Sequence, residues 1–247
     1  MNLINIINEE INTLANENNV AAYQGSTANH DGYDIKKIGT GEGNVVFGFG
    51  FYFTSCYGIA KFYEDSLWVR KAFKPSFLKN FVAWVTGDKY NPYKKQVYRD
   101  IVNDHNTDIS GIIDLYSNKG DSGKEILNFL RENLVNEKTP KVIYSVSLSL
   151  KNPIYWDENN NNNNNNNIVK ILQTNGISVK TNNGEQIYKE VSKLKGGFKK
   201  ASEFLNLINI NSIIYGAGTR SGMENSDCIN YVLFNHNDVK ITNKKVS

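Results

Sequence analysis

The chain has 247 residues, 40% of them hydrophobic and 21% charged, with a formal charge of +3. That length accommodates one large domain or two small ones around a buried core, and so small a charge does not by itself demand a polyanionic partner. Two cysteines, Cys56 and Cys228, argue against a disulfide scaffold, three scattered histidines (His30, His105, His236) exclude the usual metal-ligand spacings, and no apolar run approaches the roughly 20 residues of a membrane span.

Ile4, Ile7, Ile11 and Leu14 recur at helical spacing, so residues 1–19 are predicted to form an amphipathic helix that packs on the body or on a partner. The start is neither basic nor continuously apolar, unlike a secretory signal, and this predicts a cytoplasmic protein with reduced thiols. VAAYQGST (20–27) reads as a strand, the glycine-punctuated stretch 31–44 as loop, VVFGFGFYFTS (45–55) as a strand, and 57–73 as a helix. Between Trp68 and Arg99 the chain turns basic and aromatic: Arg70, Lys71, Lys74, Lys79, Lys89, Lys94, Lys95 and Arg99 meet only Asp88 as counter-charge. A helix over 122–136 and an alternating strand over 141–150 follow. The asparagine run from Asn159 to Asn167 buries nothing apolar and is expected to be a disordered or extended surface loop, spanning 158–167. Helices at 168–174, 184–195 and 199–208 then lead to strands at 211–217 and 229–235 and a short edge at Val239–Ile241. Strands first, helices inserted and strands last predict an α+β fold, read as one domain over 20–247 with a basic-aromatic insertion at 65–110.

GTGEG (39–43) has neither the strand–helix setting of a dinucleotide fingerprint nor the ending of a P-loop, and taken alone it is a flexible loop. Its company carries more. Tyr23-Gln24-Gly25-Ser26 precedes it, Phe47-Gly48-Phe49-Gly50-Phe51-Tyr52-Phe53-Thr54 follows, then Ala60 and Tyr63, and far downstream Asn230-Tyr231-Val232-Leu233-Phe234. This order resembles the ADP-ribosyltransferase superfamily on its diphtheria-toxin and poly(ADP-ribose)-polymerase side. It is more similar still to transferase-like toxin domains of phage and bacterial polyvalent proteins, which also carry counterparts of Gly184-Glu185-Gln186-Ile187-Tyr188 and Ala201-Ser202-Glu203-Phe204-Leu205. The resemblance covers roughly residues 20 to 242 and implies a split antiparallel β core with helical insertions.

The resemblance also implies NAD⁺ as substrate and no metal. Main-chain groups of Gly25 would bond the nicotinamide carboxamide beside Ser26, Tyr52 and Tyr63 would pack its faces, and Gly50 would allow close backbone approach. The cleaved bond passes through an oxocarbenium-like state, as in glycoside hydrolysis. Two positions depart from the pattern. Gln24 stands where the family has a ribose-contacting histidine, and keeps a donor and an acceptor. Asn230 stands where the family has its catalytic glutamate, and an amide serves neither as base nor as counter-charge. Glu42 is the first candidate for a substitute carboxylate, Glu224 and Asp227 the next, and each is also readable as a solvated loop acid, Glu224 and Asp227 more so than Glu42. Arg220 is a candidate pyrophosphate ligand.

The basic-aromatic stretch bears on the acceptor. Arg70, Lys71, Lys74, Lys94, Lys95 and Arg99 would track a phosphate backbone while aromatics stack bases, as in single-strand binding; alternatively Trp68, Phe73, Phe77, Phe81 and Trp84 line one buried face. The expectation is therefore an ADP-ribosyltransferase acting on a macromolecule, nucleic acid before protein, as a toxin or phage-defence effector with a neutralising antitoxin protein. The alternative is a module of the same fold that binds NAD⁺ or nucleic acid without turnover.

Overall fold

A computed structural model describes residues 19–38, 45–87, 91, 93–103, 109–136, 138–157, 164–217 and 227–246. The expected N-terminal helix lies outside these, apart from Asn19, which opens the first strand. Seven strands form one mixed sheet: β1 (Asn19–Ser26), β2 (Phe51–Thr54), β3 (Val142–Ser149), β4 (Ile154–Tyr155), β5 (Ser212–Gly216), β6 (Ile229–Leu233) and β7 (Val239–Val246), in the order β4-β5-β6-β2-β1-β3-β7. β4 runs parallel to β5, while β5–β6, β6–β2 and β2–β1 are antiparallel. Eight α-helices are described: α1 (Tyr57–Ala72), α2 (Phe77–Gly87), α3 (Lys94–Tyr98), α4 (Ile109–Ser117), α5 (Gly120–Asn133), α6 (Asn166–Thr174), α7 (Gly184–Lys195) and α8 (Phe198–Leu207).

The chain divides into two compact units. The described residues of the first lie within 19–24, 30–60 and 144–244, and those of the second within 25–29, 61–143 and 245–246. The first is organised around the sheet. Ile187, Tyr188 and Val191 of α7 and Ala201 and Leu205 of α8 recur at helical spacing and pack with Ile213 and Val232 of the sheet. Phe51 and Phe53 point to the opposite face, where the Tyr33 ring meets both edge-on at 5.3 Å. The second unit is helical. Trp68, Phe73, Phe77 and Phe81 are buried in its core with Ile126 and Leu130, and Phe77 stacks on Phe73 with ring centroids 4.0 Å apart. Trp68, Phe73, Phe77 and Phe81 thus take the buried-face alternative, with Trp84 half-buried against them.

Three local expectations change. The strand expected over 45–55 is only Phe51–Thr54, because Gly48 at φ +117° turns the chain back, its N–H bonding the Val45 carbonyl at 3.2 Å. The closing edge is eight residues long, β7, its polar residues tolerated because an edge strand faces solvent. The end of the asparagine run is ordered and partly helical: Asn165 is fully buried, accepts the Tyr155 N–H and donates to the carbonyls of Tyr155 and Asn182, all at 2.9 Å. A side-chain amide has the donor and acceptor of a peptide group, so Asn165 acts as one residue of an added strand against β4.

The thiol expectation is overturned. Cys56 and Cys228 form a disulfide, their Cα atoms 5.6 Å apart, a separation ordinary for such a bond. Sequence distance hid the pairing, since 172 positions separate them.

Candidate functional site

Cross-strand register builds the site. Tyr23 on β1 lies opposite Thr54 on β2, Thr54 opposite Asn230 on β6, and Asn230 opposite Tyr215 on β5. Residues directly opposite share a sheet face, so Tyr23, Thr54, Asn230 and Tyr215 form one transverse row. Its centre is polar and buried, with Asn230 only 8% exposed. Both flanks are aromatic: Tyr57 at the start of α1, 45% exposed, meets Tyr23 edge-on at 5.6 Å, and Phe47 stacks on Tyr215 at 3.9 Å. The Asn230 amide has no hydrogen-bond partner among the described residues and is not sealed from solvent. The Thr54 hydroxyl accepts the Cys56 N–H at 3.3 Å, which leaves its own proton to donate.

One pair further along, the ladder continues without regular strand geometry. Ser55 N–H bonds the Ile229 carbonyl at 2.7 Å and Ile229 N–H returns to the Ser55 hydroxyl at 2.9 Å. The next pair is the Cys56–Cys228 disulfide. The Cys56 carbonyl accepts N–H bonds from Ile59 and Ala60, at 3.1 and 3.2 Å, so the bridge ties the first turn of α1 to the start of β6.

Gln24 does not join this row. Alternation turns its side chain to the other face, where it accepts the Tyr33 hydroxyl at 2.9 Å and donates to the Tyr52 carbonyl at 3.1 Å. It clamps β1 to β2. Burial holds the Tyr33 phenol well above the usual tyrosine range, with the neighbouring Tyr144 adding to it, so the clamp stays protonated at physiological pH. On Gln24's face, too, lies an open hollow of about 410 Å³ lined by Val20, Leu150, Asn152, Tyr155 and Ile214 among others, away from Asn230.

Tyr52 shares the face of Asn230, but its hydroxyl is engaged: it donates to the Gly48 carbonyl at 2.8 Å and accepts the Phe47 N–H at 3.2 Å. The Tyr188 hydroxyl accepts the Phe49 N–H at 3.0 Å and contacts Ser202 Oγ at 2.8 Å. Two tyrosines thus pin the turn before β2, and the motif residues Tyr188 and Ser202 meet each other. Gly50 has a packing reason as well, since a Cβ there would lie 2.5 Å from the Leu233 carbonyl oxygen.

Of the remaining candidates, Asp227 is exposed beside Cys228, whereas Glu42, Arg220 and Glu224 lie outside the described residues. In the second unit Gly25 is buried, Ser26 Oγ accepts the Ala28 N–H at 3.0 Å, and Tyr63 is 48% exposed with its ring against Phe62. The basic candidates divide. Arg70, Lys71, Lys74, Lys95 and Arg99 are exposed. Lys94 is not a surface cation: it is 2% exposed, sits 4.3 Å above the Trp84 ring centroid and pairs with Glu125 at 2.6 Å. Desolvating an ammonium requires such compensation, and the pair removes Lys94 from any phosphate-binding face.

Sequence reasoning missed Tyr23, Thr54, Tyr57 and Tyr215 as site neighbours, because strand register alone brings them to Asn230. Among the described residues no group of three His, Cys, Asp or Glu side chains is placed to hold a metal, and no helix is long and apolar enough to cross a membrane. No family model, curated protein or solved structure matches this chain.

Proposed function

We propose that the protein is an NAD⁺-dependent ADP-ribosyltransferase acting on a macromolecule, with the Thr54–Asn230 row as its reactive centre. The observation that carries the reading is adjacency. The strands bearing Tyr23-Gln24, Phe51-Tyr52-Phe53-Thr54 and Asn230-Tyr231 are immediate neighbours in the order β1-β2-β6, although the first and last are about 200 positions apart.

In that role the Thr54 hydroxyl and the Asn230 amide bond ribose hydroxyls, and Tyr23 with Tyr57 supplies an aromatic wall. The nicotinamide–ribose C–N bond breaks with its electron pair leaving on nicotinamide. The acceptor's lone pair forms the new bond to the ribose carbon, and the acceptor's proton passes to water. Asn230 orients the sugar but takes no proton, so the nucleophile's own reactivity governs the rate. Exposed Arg70, Lys71, Lys74, Lys95 and Arg99 favour nucleic acid over protein as acceptor, bound through phosphates. Trp68, Phe73, Phe77 and Phe81 lie in the core and are not available to stack on bases. A cytoplasmic setting and a neutralising antitoxin protein belong to the same proposal, and the disulfide qualifies the setting because the cytosol keeps thiols reduced.

The amide at position 230 favours one second reading, a module that binds without turnover. Both readings are separated by incubating the protein with labelled NAD⁺ and cell extract, followed by nuclease or protease. Label released by nuclease and lost in Asn230→Ala supports transfer to nucleic acid, and release by protease transfers the proposal to protein. Saturable NAD⁺ binding without label leaves the binding module. Neither binding nor label overturns both.

A further inference from the structure

We propose that Cys56–Cys228 is a redox-sensitive clamp on the Thr54–Asn230 row. The inference rests on where the bridge stands. It ties the chain two residues beyond Thr54 to the chain two residues before Asn230, at the end of the β2–β6 pairing. Only the Ser55–Ile229 pair separates it from the row, held by the two hydrogen bonds described above.

The two ends that it joins have unequal support. The start of β6 is also held by β5, through the Gly216–Ile229 pairing and the Ala217 N–H to Cys228 carbonyl bond at 2.9 Å. Cys56 leaves the sheet and caps the first turn of α1. Opening the bridge therefore releases Cys56 and the first turn of α1, and leaves β6 on β5 and Thr54 in its pairings with β1 and β6. Tyr57, an aromatic flank of the row, moves with the freed turn, while Thr54 and Asn230 stay. Both sulfur-bearing residues are only partly buried, so a small reductant reaches them. A cellular dithiol supplies two electrons and two protons; the S–S bond becomes two thiols and the dithiol closes to its own disulfide. In a reducing compartment the Tyr57 flank of the row is loosened, and on oxidation it is set.

The clamp concerns the site's geometry and holds whatever the site binds, so its test reads no catalysis. The 247-residue chain is purified without reductant, and thiols are counted by alkylation and mass spectrometry. Backbone hydrogen exchange is then followed with and without dithiothreitol. The expected result is no alkylated thiol before reduction and two after. Exchange should accelerate at least tenfold at residues 56–60, with α7 and α8 unchanged. Two free thiols in the untreated protein overturn the proposal. Unchanged exchange at 56–60 also overturns it, as does acceleration throughout α7 and α8, which would make the bridge a staple of the whole fold. A Cys56→Ser, Cys228→Ser variant should show the fast pattern without reductant and ignore dithiothreitol; if it does not fold, the reduced wild-type sample decides.

Discussion

Replacing Asn165 with alanine tests whether one member of a homopolymeric run is part of the fold. Three hydrogen bonds vanish, from Tyr155 N–H and to the carbonyls of Tyr155 and Asn182, all at a residue with no exposure. At about 1 kcal/mol net for each, the loss is about 3 kcal/mol, with the orphaned Tyr155 N–H as the costliest part. Asparagines on both sides offer a repair by slipping one position. The slip is opposed by Ile168, three residues on and buried, which would leave its place in the core with α6. Asn165→Ala should therefore lower the urea midpoint by the equivalent of about 3 kcal/mol at constant slope, and Asn167→Ala, at an exposed position, by less than about 0.5 kcal/mol. Equal and small effects at 165 and 167 would refute the argument, since they would mean that the asparagines are interchangeable.

Two further predictions concern charge. Burial, then the Lys244 ammonium, hold His30 below the usual histidine range, opposed by Asp31; its ring stacks on Tyr144 at 4.5 Å, with Tyr33 edge-on. The unfolded chain takes up this proton near pH 6.5 and the folded chain only lower, so the contribution is complete above 6.5 and is lost as pH falls toward the folded value. Urea titrations between pH 7.5 and 5 should show stability falling with pH, with a shallower fall in His30→Gln; equal slopes would exclude His30 as the source. Lys94 and Lys95 should separate cleanly. Lys94→Met should cost about 1–3 kcal/mol, because Glu125 is half exposed and can hydrate when its partner goes. Lys95→Ala should leave the urea midpoint unchanged but weaken nucleic-acid binding and lower its salt dependence by about one counterion; the opposite assignment would return Lys94 to the surface.

Helices were legible where period and caps agreed. Residues 184–195 show Ile187, Tyr188 and Val191 on one face, Asn183 capping the Gln186 N–H at 3.0 Å, and Gly196 in the left-handed conformation at the end. The strand at 45–55 was misjudged because aromatic–glycine alternation mimics strand periodicity, while Gly48 adopts a backbone angle that ends one. β7 was cut short because VKITNKKV shows little apolar alternation. Asn165 was unreadable in principle: within a run of identical residues, no local signal distinguishes the one that docks.

The site was legible as strands and illegible as faces. Motif order placed Gln24 and Asn230 in one functional group, and the sheet does set β1, β2 and β6 side by side. Yet the side-chain period of a strand is two, so function depends on parity, which a motif does not state. Tyr23 opposite Thr54 sends Gln24 to the Tyr33 side and Tyr23 to the Asn230 side. The residue next to the motif's expected ribose ligand, rather than the ligand itself, therefore faces the polar centre. A reading that starts from register rather than from motif letters thus replaces Gln24 with Tyr23 in the candidate site, and adds a disulfide where composition had argued against one.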